Sequence, residues 1–312
     1  MKYDVLTIFD ICADLVMDLG DTVPEFGQKE KYVESSTIDM GGSTCIFACQ
    51  CAKLGLNTTG AGVAGDDIFG RLVTDTLSKC GVDISNITTD GDIKTGLGVH
   101  LARKGDRSIL TYSGSIGAVT AKHITDELLK SARHLHIGSY YLLDGVREEL
   151  PDILCRAKSF GLTVSLDTNW DPAEKWRLPD KITSNTDIIF PNENEVLLLT
   201  GCADINAAIK VLSEKIPVVA VKLGADGGIV ENNGKRIKLP APDVNVADTI
   251  GAGDSFDAGF IYAYLHGFTI EDCLRSGLYC GSASTEKAGG IASQATANDL
   301  NGLNDLSDYL KL

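Results

Sequence analysis

Residues 248–256, Asp248-Thr249-Ile250-Gly251-Ala252-Gly253-Asp254-Ser255-Phe256, carry two glycines and an aspartate where a loop is predicted to become a helix. Upstream, residues 243–246 are predicted to end a short strand. Downstream, apolar residues recur at roughly helical spacing until Gly267 ends the pattern. A helix N-terminus offers free N–H groups and the positive end of a dipole, which together favour an anion. Because Gly251 and Gly253 lack a Cβ, such an anion can approach the backbone closely.

Asp254 is expected in the first turn of this helix, with its carboxylate facing the same space. A carboxylate beside an anion cradle suits phosphoryl transfer, because it can accept the proton of an attacking hydroxyl while the cradle holds the phosphoryl charge. The helix dipole predicts a lowered pKa for Asp254. From spacing alone a structural role competes, since Gly-x-Gly is a weak motif and aspartate is common in first helical turns.

The same nine residues resemble the C-terminal signature of the ribokinase-like carbohydrate kinases, the phosphofructokinase B type family. A second signature near the N-terminus extends the resemblance over most of the chain. The resemblance implies an α/β, ribokinase-like three-layer fold: a mostly parallel central sheet with helices on both faces, plus a small β lid. It also implies a kinase that uses ATP and Mg²⁺ to phosphorylate a hydroxymethyl group of a small carbohydrate. Asp254 would be the general base, and the backbone of Gly251, Ala252 and Gly253 the anion hole.

Composition limits the alternatives. The chain has 312 residues, of which 44% are hydrophobic, which is enough for one large α/β core or for a core plus a small appendage. The resemblance implies that residues 1–312 form one kinase domain. The formal net charge of −15 argues against general nucleic-acid binding, which needs clustered Lys and Arg. The nine cysteines lack metal-binding spacing, the N-terminus is acidic, and no run of 18 apolar residues occurs. These features predict a reducing, cytoplasmic compartment and no interaction with a membrane.

Apolar strands alternate with helices from about residue 120, including a helix predicted for residues 147–160, which favours a parallel sheet with helices on both faces. Residues 15–40 and 95–113, with a hairpin around Lys104-Gly105-Asp106, are predicted to form the small β lid over the substrate. Exposed hydrophobic strands outside the main sheet need cover. Because several family members pair two subunits through such a lid, a homodimer is expected.

Polar groups are predicted at the carboxyl ends of strands, where α/β proteins bind ligands. Asp14 follows a strand predicted for residues 5–9, Gly41 and Gly42 open a helix, and Asn169 follows another strand. The resemblance assigns an aspartate at the place of Asp14 to substrate hydroxyls, and it places the Gly-Gly pair in the N-terminal signature. From the residues alone, capping of loops and turns stays an alternative.

The sequence departs from the family at two positions near the expected sugar. Ile46 stands where an asparagine is common in the N-terminal signature. Asp171 stands where fructokinase-like and ketodeoxygluconate-kinase-like members carry an arginine. A site without that arginine would bind a sugar-acid carboxylate less well. Both positions belong to the contacts that would identify the sugar, so the sequence predicts the kinase class without the substrate.

A magnesium site is predicted at the Asn192-Glu193-Asn194-Glu195 segment, which follows a strand and starts a helix. Asn192 and Glu195 lie three residues apart, so together they can order water around Mg²⁺, which keeps several waters in protein sites. The family carries the same Asn-x-x-Glu motif for magnesium and phosphate. The alternative is a helix cap.

Nucleotide binding is predicted at Lys222, Gly224 and Gly227, in a glycine-rich turn after a strand that the family places along ATP. The residues alone indicate only a turn. Asp248 and Ile250 match family positions that help to hold a monovalent cation, so activation by K⁺ is a hypothesis, with residues 287–293 as the distal part of the site.

Two other functions stay open. A nucleoside kinase would use lid aromatics such as Phe26, Tyr32 or Tyr112 to stack on a base, and a sugar-phosphate kinase would need a basic pocket. A non-catalytic sugar or nucleotide sensor could keep the fold without the reaction. The intact segment around Asp254 argues against a sensor, which has no need for a base.

Overall fold

Two sheets organise residues 1–103 and 106–301, the parts of the chain that the computed structural model describes. Within them, one sheet has nine strands and the other has four. The strands are β1 (Tyr3–Ile8), β2 (Cys12–Asp18), β3 (Ser35–Met40), β4 (Thr58–Gly65), β5 (Ile87–Asp90), β6 (Gly96–Arg103), β7 (Asp106–Tyr112), β8 (Ala132–Ile137), β9 (Thr163–Leu166), β10 (Ile188–Ile189), β11 (Val218–Lys222), β12 (Gly228–Asn232) and β13 (Lys235–Leu239). The helices are α1 (Ser43–Lys53), α2 (Ile68–Lys79), α3 (Asp126–Lys130), α4 (Leu150–Ser159), α5 (Asp180–Thr183), α6 (Glu193–Thr200), α7 (Ile205–Ser213), α8 (Ala252–Leu265), α9 (Ile270–Ser284) and α10 (Ala297–Asn301).

The large sheet has the order β13-β12-β11-β10-β9-β8-β1-β4-β5. All pairs from β5 through β11 are parallel, and β12 and β13 extend the far edge in antiparallel fashion. Side chains alternate between its two faces: Val218 and Ala220 of β11 enter one apolar layer with α1, α8 and α9. Val219 and Val221 enter the other layer with α4, α6 and α7. Both faces are thus covered by helices, and the predicted α/β fold is confirmed.

The small sheet has the order β3-β2-β6-β7, and its strands lie almost entirely within the two segments predicted to form a lid. Its two faces differ in chemistry. One row of directly opposite residues is apolar and runs across all four strands through Ile38, Leu15, Val99 and Leu110. The row next to it, on the other face, is polar and runs through Asp39, Asp14, Gly98 and Thr111. The predicted hairpin between β6 and β7 is present, although Lys104 and Gly105 at its turn lie outside the described residues.

Several boundaries differ from the sequence predictions. Residues 243–246 form no strand, and the chain from Pro240 to Asp248 runs in irregular structure into α8. Helix α4 begins at Leu150 instead of 147, because the preceding residues form turns. Asp14 does not follow β1 in a loop but lies inside β2, a strand that the prediction missed. The prediction missed this strand because only its first three residues are buried, while the rest are half-buried or exposed. The sequence therefore shows neither a continuous apolar run nor a regular alternation.

We predict that Gly70→Ala destabilises the protein although it replaces glycine with a better helix former. A Cβ added at Gly70 in α2 would lie 2.1 Å from the backbone oxygen of Gly65, so helix and strand must move apart. Overpacking of this kind costs about 1–3 kcal/mol. The free energy of unfolding in a denaturant titration measures the effect.

Gly91→Ala is the matched control, because a Cβ at Gly91 meets open space. This control should change the free energy of unfolding by no more than about 0.5 kcal/mol. A neutral or stabilising Gly70→Ala would contradict the prediction.

Candidate active site

The first turn of α8 forms the cradle that the sequence predicts for an anion. Gly251 caps this helix in the left-handed region, with φ 73°. A Cβ there would lie 2.8 Å from Ile46 Cγ2 and 2.9 Å from the backbone oxygen of Gly290, so only glycine fits. In the described structure no side chain caps this end of α8. Its first N–H groups are therefore available to a ligand.

The ammonium group of Lys222 lies directly beside the cradle. A Cβ added at Gly253 would be 3.3 Å from Lys222 Nζ. The same Nζ donates hydrogen bonds to Asp167 Oδ2 at 2.7 Å and to Asp257 Oδ1 at 3.2 Å. Burial opposes the charge on Lys222, but the carboxylates of Asp167 and Asp257 outweigh it and raise the pKa of Lys222. A stable positive charge thus lies next to the anion cradle.

The pKa values of the two carboxylates that hold Lys222 are shifted in opposite directions. Burial opposes ionisation of Asp167, yet the Lys222 ammonium and its hydrogen bonds prevail and hold the pKa of Asp167 below its usual range. Burial dominates at Asp257 and raises its pKa well above the usual range. Asp257 escaped the sequence analysis, although its place three residues after Asp254 puts both on one side of α8.

Asp254 is half-buried and belongs to a chain of hydrogen bonds. The hydroxyl of Ser43 donates to Asp254 Oδ1. Asn169 Nδ2 in turn donates to Ser43 Oγ at 2.8 Å and to Ser139 Oγ at 3.0 Å. Ser43 and Ser139 had no predicted role, since serine hydroxyls give no distinctive sequence signal. Asn169, which is predicted as a substrate ligand, is thus connected to the candidate base Asp254 through one intervening side chain, that of Ser43.

The expected sign of the pKa shift at Asp254 is wrong. Burial raises the pKa of Asp254 to about 7, and the nearby charges of Asp167 and Asp10 raise it further. The Ser43 hydrogen bond and the Lys222 charge act in the opposite direction without prevailing. The sequence argument considered only the helix dipole, which is a smaller effect than desolvation in a closed site. The higher pKa makes Asp254 a stronger base.

Asp10, which the sequence analysis missed, caps helix α1 from below. Its carboxylate accepts hydrogen bonds from the backbone N–H groups of Ser43 at 2.9 Å and Thr44 at 3.0 Å. The Ser139 hydroxyl donates to it at 2.6 Å. Burial raises the pKa of Asp10 despite these bonds. A Cβ at Gly42 would meet the backbone oxygen of Asp10 at 2.6 Å, so this glycine lets α1 begin directly above Asp10.

A cleft of about 440 Å³ separates the polar face of the small sheet from the main body. Asp14 lines it from β2, while Asp248, Ile250 and Gly290 line it from the body. Gly290 is also the residue whose backbone a Cβ at Gly251 would meet, so the wall of the cleft packs against the anion cradle. The cleft thus joins the predicted substrate residue Asp14 to Asp248 and Ile250, which lead into the predicted catalytic segment.

Asn192 and Glu195 form a capping box at the start of α6. Asn192 Oδ1 accepts from the backbone N–H of Glu195, and Glu195 Oε2 accepts from that of Asn192, both at 2.9 Å. Burial, followed by the charge of Asp167, raises the pKa of Glu195 to about 7, against the effect of Lys222. The capping alternative is therefore real. The assignment of Asn192 to the nucleotide and of Glu195 to magnesium stays a prediction.

The glycine-rich turn predicted to follow ATP begins where β11 ends. Gly224 opens a short 3₁₀ turn, Gly224–Asp226, and Gly227 leads into β12. The turn adjoins the magnesium candidates, because the N–H of Lys222 donates to the backbone oxygen of Pro191 at 2.9 Å. The side chain of Lys222 faces the carboxylates described above. Its assignment to the nucleotide, like those of Gly224 and Gly227, stays a prediction.

Asp248 joins the two segments predicted to hold a monovalent cation. Its Oδ1 accepts from the N–H of Ile250 and its Oδ2 from the N–H of Gly289, both at 3.0 Å. Residues 248–250 therefore lie against the loop around Gly289, within the predicted distal part. The assignment to a cation stays a prediction.

The two departures from the family pattern do not face the cleft as hydroxyl ligands. Ile46 is buried and packs between Gly251 and Gly290. The carboxylate of Asp171 accepts from three backbone N–H groups, those of Ala173, Lys175 and Trp176, at 2.8–2.9 Å. Asp171 is thus a capping residue of the following turn, the alternative considered from the sequence.

The described residues contain neither a single helix suited to span a membrane nor a cluster of metal-binding side chains. No single helix there is long and apolar enough to cross a membrane, and only α6 and α7 taken together, bent by 63°, pass by length and composition. No group of three or more His, Cys, Asp or Glu side chains is arranged to hold a metal ion in that part of the chain. All nine cysteines lie in it and are free thiols.

The fold and the site define the class of the protein as a ribokinase-like kinase. Residues 6–297 match the protein family described as "pfkB family carbohydrate kinase". An uncharacterized sugar kinase of Archaeoglobus fulgidus is 31% identical over 241 residues, which cover 76% of this chain and 95% of that protein. Ribokinase of Haemophilus influenzae is 29% identical over 311 residues, covering 96% and 97%. Arabidopsis thaliana ribokinase, solved with ribose and ATP, superposes with a TM-score of 0.85 at 24% identity over 98% of this chain and 99% of that one.

The chain belongs to the pfkB family of carbohydrate kinases, as a sugar kinase of the ribokinase-like type. The resemblance found in the sequence is thereby confirmed over nearly the whole chain.

We predict that Ser43→Ala raises the pKa of Asp254 above its value of about 7, because the hydroxyl that favours the charged carboxylate is lost. The ionised form of Asp254 exists above this pKa, so the variant needs a higher pH to reach it. Carboxyl ¹³C chemical shifts followed against pH report the titration, and Asp254→Asn identifies the signal.

Ser159→Ala is the control, because its hydroxyl bonds only to the backbone of Arg156 in α4. The titration of Asp254 should not change in this variant. An equal or lower pKa of Asp254 in Ser43→Ala would show that the short contact does not govern this carboxylate.

Proposed function

We propose that the protein is an ATP-dependent sugar kinase that transfers the γ-phosphoryl group to a hydroxymethyl group of a small carbohydrate. The observation that supports this most directly is the position of Asp254. Its carboxylate lies in the first turn of α8, beside N–H groups that no side chain caps and beside the Lys222 ammonium. A base and an anion site are thus adjacent, as phosphoryl transfer requires.

In the proposed reaction Asp254 accepts the proton of the acceptor hydroxyl while the oxygen of that hydroxyl bonds to the γ-phosphorus. The bond from that phosphorus to the β,γ-bridging oxygen breaks, and ADP leaves. The N–H groups of Gly251, Ala252 and Gly253 stabilise the charge on the transferring group. A pKa of about 7 suits the base, because Asp254 is then largely ionised just above neutrality and still binds a proton well.

The proposed nucleotide site follows the turn of Gly224 and Gly227 towards the cradle, with Asn192 beside it. The residues present fit an anionic nucleotide, since the Gly251 cradle would be filled by any Cβ and the ammonium of Lys222 stays charged. Mg²⁺, when bound, neutralises phosphate charge and aligns the phosphoryl group. Glu195, with a buried carboxylate, would hold its hydrated shell.

The proposed acceptor site comprises Asp14, the backbone at Gly41 and Gly42, and Asn169. Gly41 gives the Asp14 carboxylate its place, because a Cβ there would lie 2.4 Å from Asp14 Oδ1. Asn169 reaches Asp254 through Ser43. An acceptor bound between them would face carboxylate and amide groups that suit sugar hydroxyls.

The cleft favours an uncharged acceptor over a sugar phosphate or a sugar acid. Its lining includes four carboxylates, on Asp14, Asp18, Asp39 and Asp248, whereas Arg103 supplies a positive charge at its rim. An anionic acceptor would lose hydration in a negative cleft without adequate compensation.

Two side chains that could serve a different acceptor, Lys29 for a phosphate and Tyr112 for a base, do not face the cleft. Lys29 is paired with Glu25 at 2.5 Å in an exposed loop. Tyr112 lies on the face of the small sheet opposite the cleft, directly across from Leu97. A nucleoside kinase that stacks a base on Tyr112 is therefore less well supported than a sugar kinase.

The test is ADP release from Mg-ATP with ribose, fructose, ketodeoxygluconate, fructose 1-phosphate, tagatose 6-phosphate and several nucleosides. We expect turnover with an uncharged sugar and none with the phosphates. Asp254→Asn should reduce turnover by ~10²–10⁴, because it removes the general base. Repeating the assay in sodium, potassium and choline salts tests the cation proposed at Asp248 and Ile250.

Each alternative has its own outcome. No transfer to any compound by a protein that binds ATP would favour the sensor. Near-normal turnover in Asp254→Asn would refute the role of that residue, and equal rates in the three salts would remove K⁺. Turnover of a sugar phosphate alone would overturn the proposed charge preference.

We further propose a cytoplasmic location, because the nine thiols are free.

We also propose that the protein forms a homodimer through the small sheet. The apolar row through Ile38, Leu15, Val99 and Leu110 lies on the face away from the cleft, and Leu110 is 60% exposed. A row of exposed apolar residues on an open sheet needs cover, and a second copy of the same face supplies it.

Sedimentation velocity should therefore show a species of twice the chain mass. Leu110→Lys should shift it to the monomer by placing a charge in the apolar face. Thr111→Lys, on the same exposed strand but on the other face, is the matched control and should remain dimeric. A monomeric wild-type protein, or a dimer unaffected by Leu110→Lys, would contradict the proposal.

A further inference from the structure

His100 and Asp14 form a buried pair. Asp14 belongs to the proposed acceptor site, but His100 has no role in the motifs or in the proposed mechanism. His100 Nε2 lies 3.2 Å from Asp14 Oδ1, and both side chains are largely buried. His100 comes from β6 and Asp14 from the neighbouring β2. In the sheet register His100 stands opposite Val16, two residues beyond Asp14, so both side chains lie on the face towards the cleft.

Two glycines create the space for this contact. A Cβ added at Gly98 would lie 2.5 Å from Asp14 Oδ1 and 3.1 Å from His100 Nε2, directly between the two groups. A Cβ at Gly41 would meet the same carboxylate from the other side at 2.4 Å. The carboxylate of Asp14 is thus confined by its surroundings, and its Oδ1 lies 3.2 Å from the imidazole Nε2.

The second nitrogen of the imidazole is a cost of this arrangement. His100 Nδ1 is buried and has no hydrogen-bond partner among the described residues. A carboxylate only accepts hydrogen bonds, so the N–H of a neutral imidazole belongs on Nε2 and the Nδ1 lone pair stays unsatisfied. A buried polar atom without a partner costs stability. An apolar side chain would avoid this cost, but it could not orient Asp14.

We propose that His100 is a positioning residue for the phosphoryl acceptor. By holding Oδ1 of Asp14 it fixes the carboxylate so that Oδ2 accepts a hydrogen bond from one hydroxyl of the sugar. The inference rests on the proposed function, in which Asp14 binds the acceptor. It adds a residue of the small sheet that determines which hydroxyl geometry the site accepts.

The kinetic test uses His100→Leu, His100→Gln and Gly98→Ala with the sugar that the wild-type protein phosphorylates. In His100→Leu we expect the KM for the sugar to rise roughly 10- to 100-fold, as for the loss of a hydrogen bond to a charged group. The KM for ATP and the turnover at saturating sugar should stay unchanged. Gln places an N–H near the Nε2 position, so His100→Gln should recover most of the affinity.

Gly98→Ala should behave like His100→Leu, because its methyl group separates the pair. His123→Gln is the control, since that imidazole bonds only within its own turn at Thr120. Thermal unfolding completes the set: a merely structural histidine predicts a lower melting temperature in His100→Leu, whereas the unsatisfied Nδ1 predicts none. An unchanged KM for the sugar in His100→Leu, with turnover intact, would overturn the inference and leave the kinase proposal standing.

A second readout does not depend on catalysis. In ¹⁵N-labelled protein, with His100→Gln to assign the signals, the ring should carry its proton on Nε2, and Asp14→Asn should shift that resonance. If no sugar is phosphorylated, the kinase proposal fails, and the spectrum still decides on the pair. A proton on Nδ1, or an Nε2 resonance that ignores Asp14→Asn, would overturn the inference.

Discussion

The buried ammonium group of Lys222 joins the three elements that form the active site. Lys222 is the last residue of β11. Its ammonium group binds Asp167, which follows β9, and Asp257, which lies within α8. Breaking a buried ion pair by removing one partner costs about 3–5 kcal/mol, because the other charge is left without compensation. Helix α8 therefore has a fixed position relative to the sheet edge. The anion cradle, which consists of the first turn of that helix, inherits this position.

The same cluster explains how an acidic protein accommodates a phosphoryl group. Carboxylates outnumber ammonium groups around the cradle, yet burial raises the pKa of Asp254, Glu195 and Asp257. A raised pKa weakens the tendency of Glu195 and Asp257 to carry negative charge beside the cradle. In the proposed mechanism the same desolvation makes Asp254 a better base.

Sequence reasoning predicted the contiguous part of the candidate site more completely than the contacts that the fold assembles around it. The Gly251 cradle and Asp254 share one segment, so their proximity follows from helix geometry. Asp10 and Ser43, in contrast, are 33 residues apart in the sequence with β2 and β3 between them, and no spacing rule connects them. The predicted shift in the pKa of Asp254 had the wrong sign. The helix dipole can be inferred from one helix, whereas burial depends on every element packed around the carboxylate.

Recognition of the acceptor follows from where the departures from the family pattern lie. Ile46 and Asp171 pack against the body or cap a turn, so neither offers a polar group to a sugar in the cleft. In the proposed acceptor site, the polar face of the small sheet, which carries Asp14, would then provide much of the hydroxyl recognition. Most of this sheet lies outside the two helix-covered core layers, although Cys12 of β2 belongs to one of them and Met40 of β3 to a third apolar cluster. Under the proposed assignment, substrate choice depends mainly on polar positions of the small sheet, which is why the sequence predicts the kinase class more readily than the sugar.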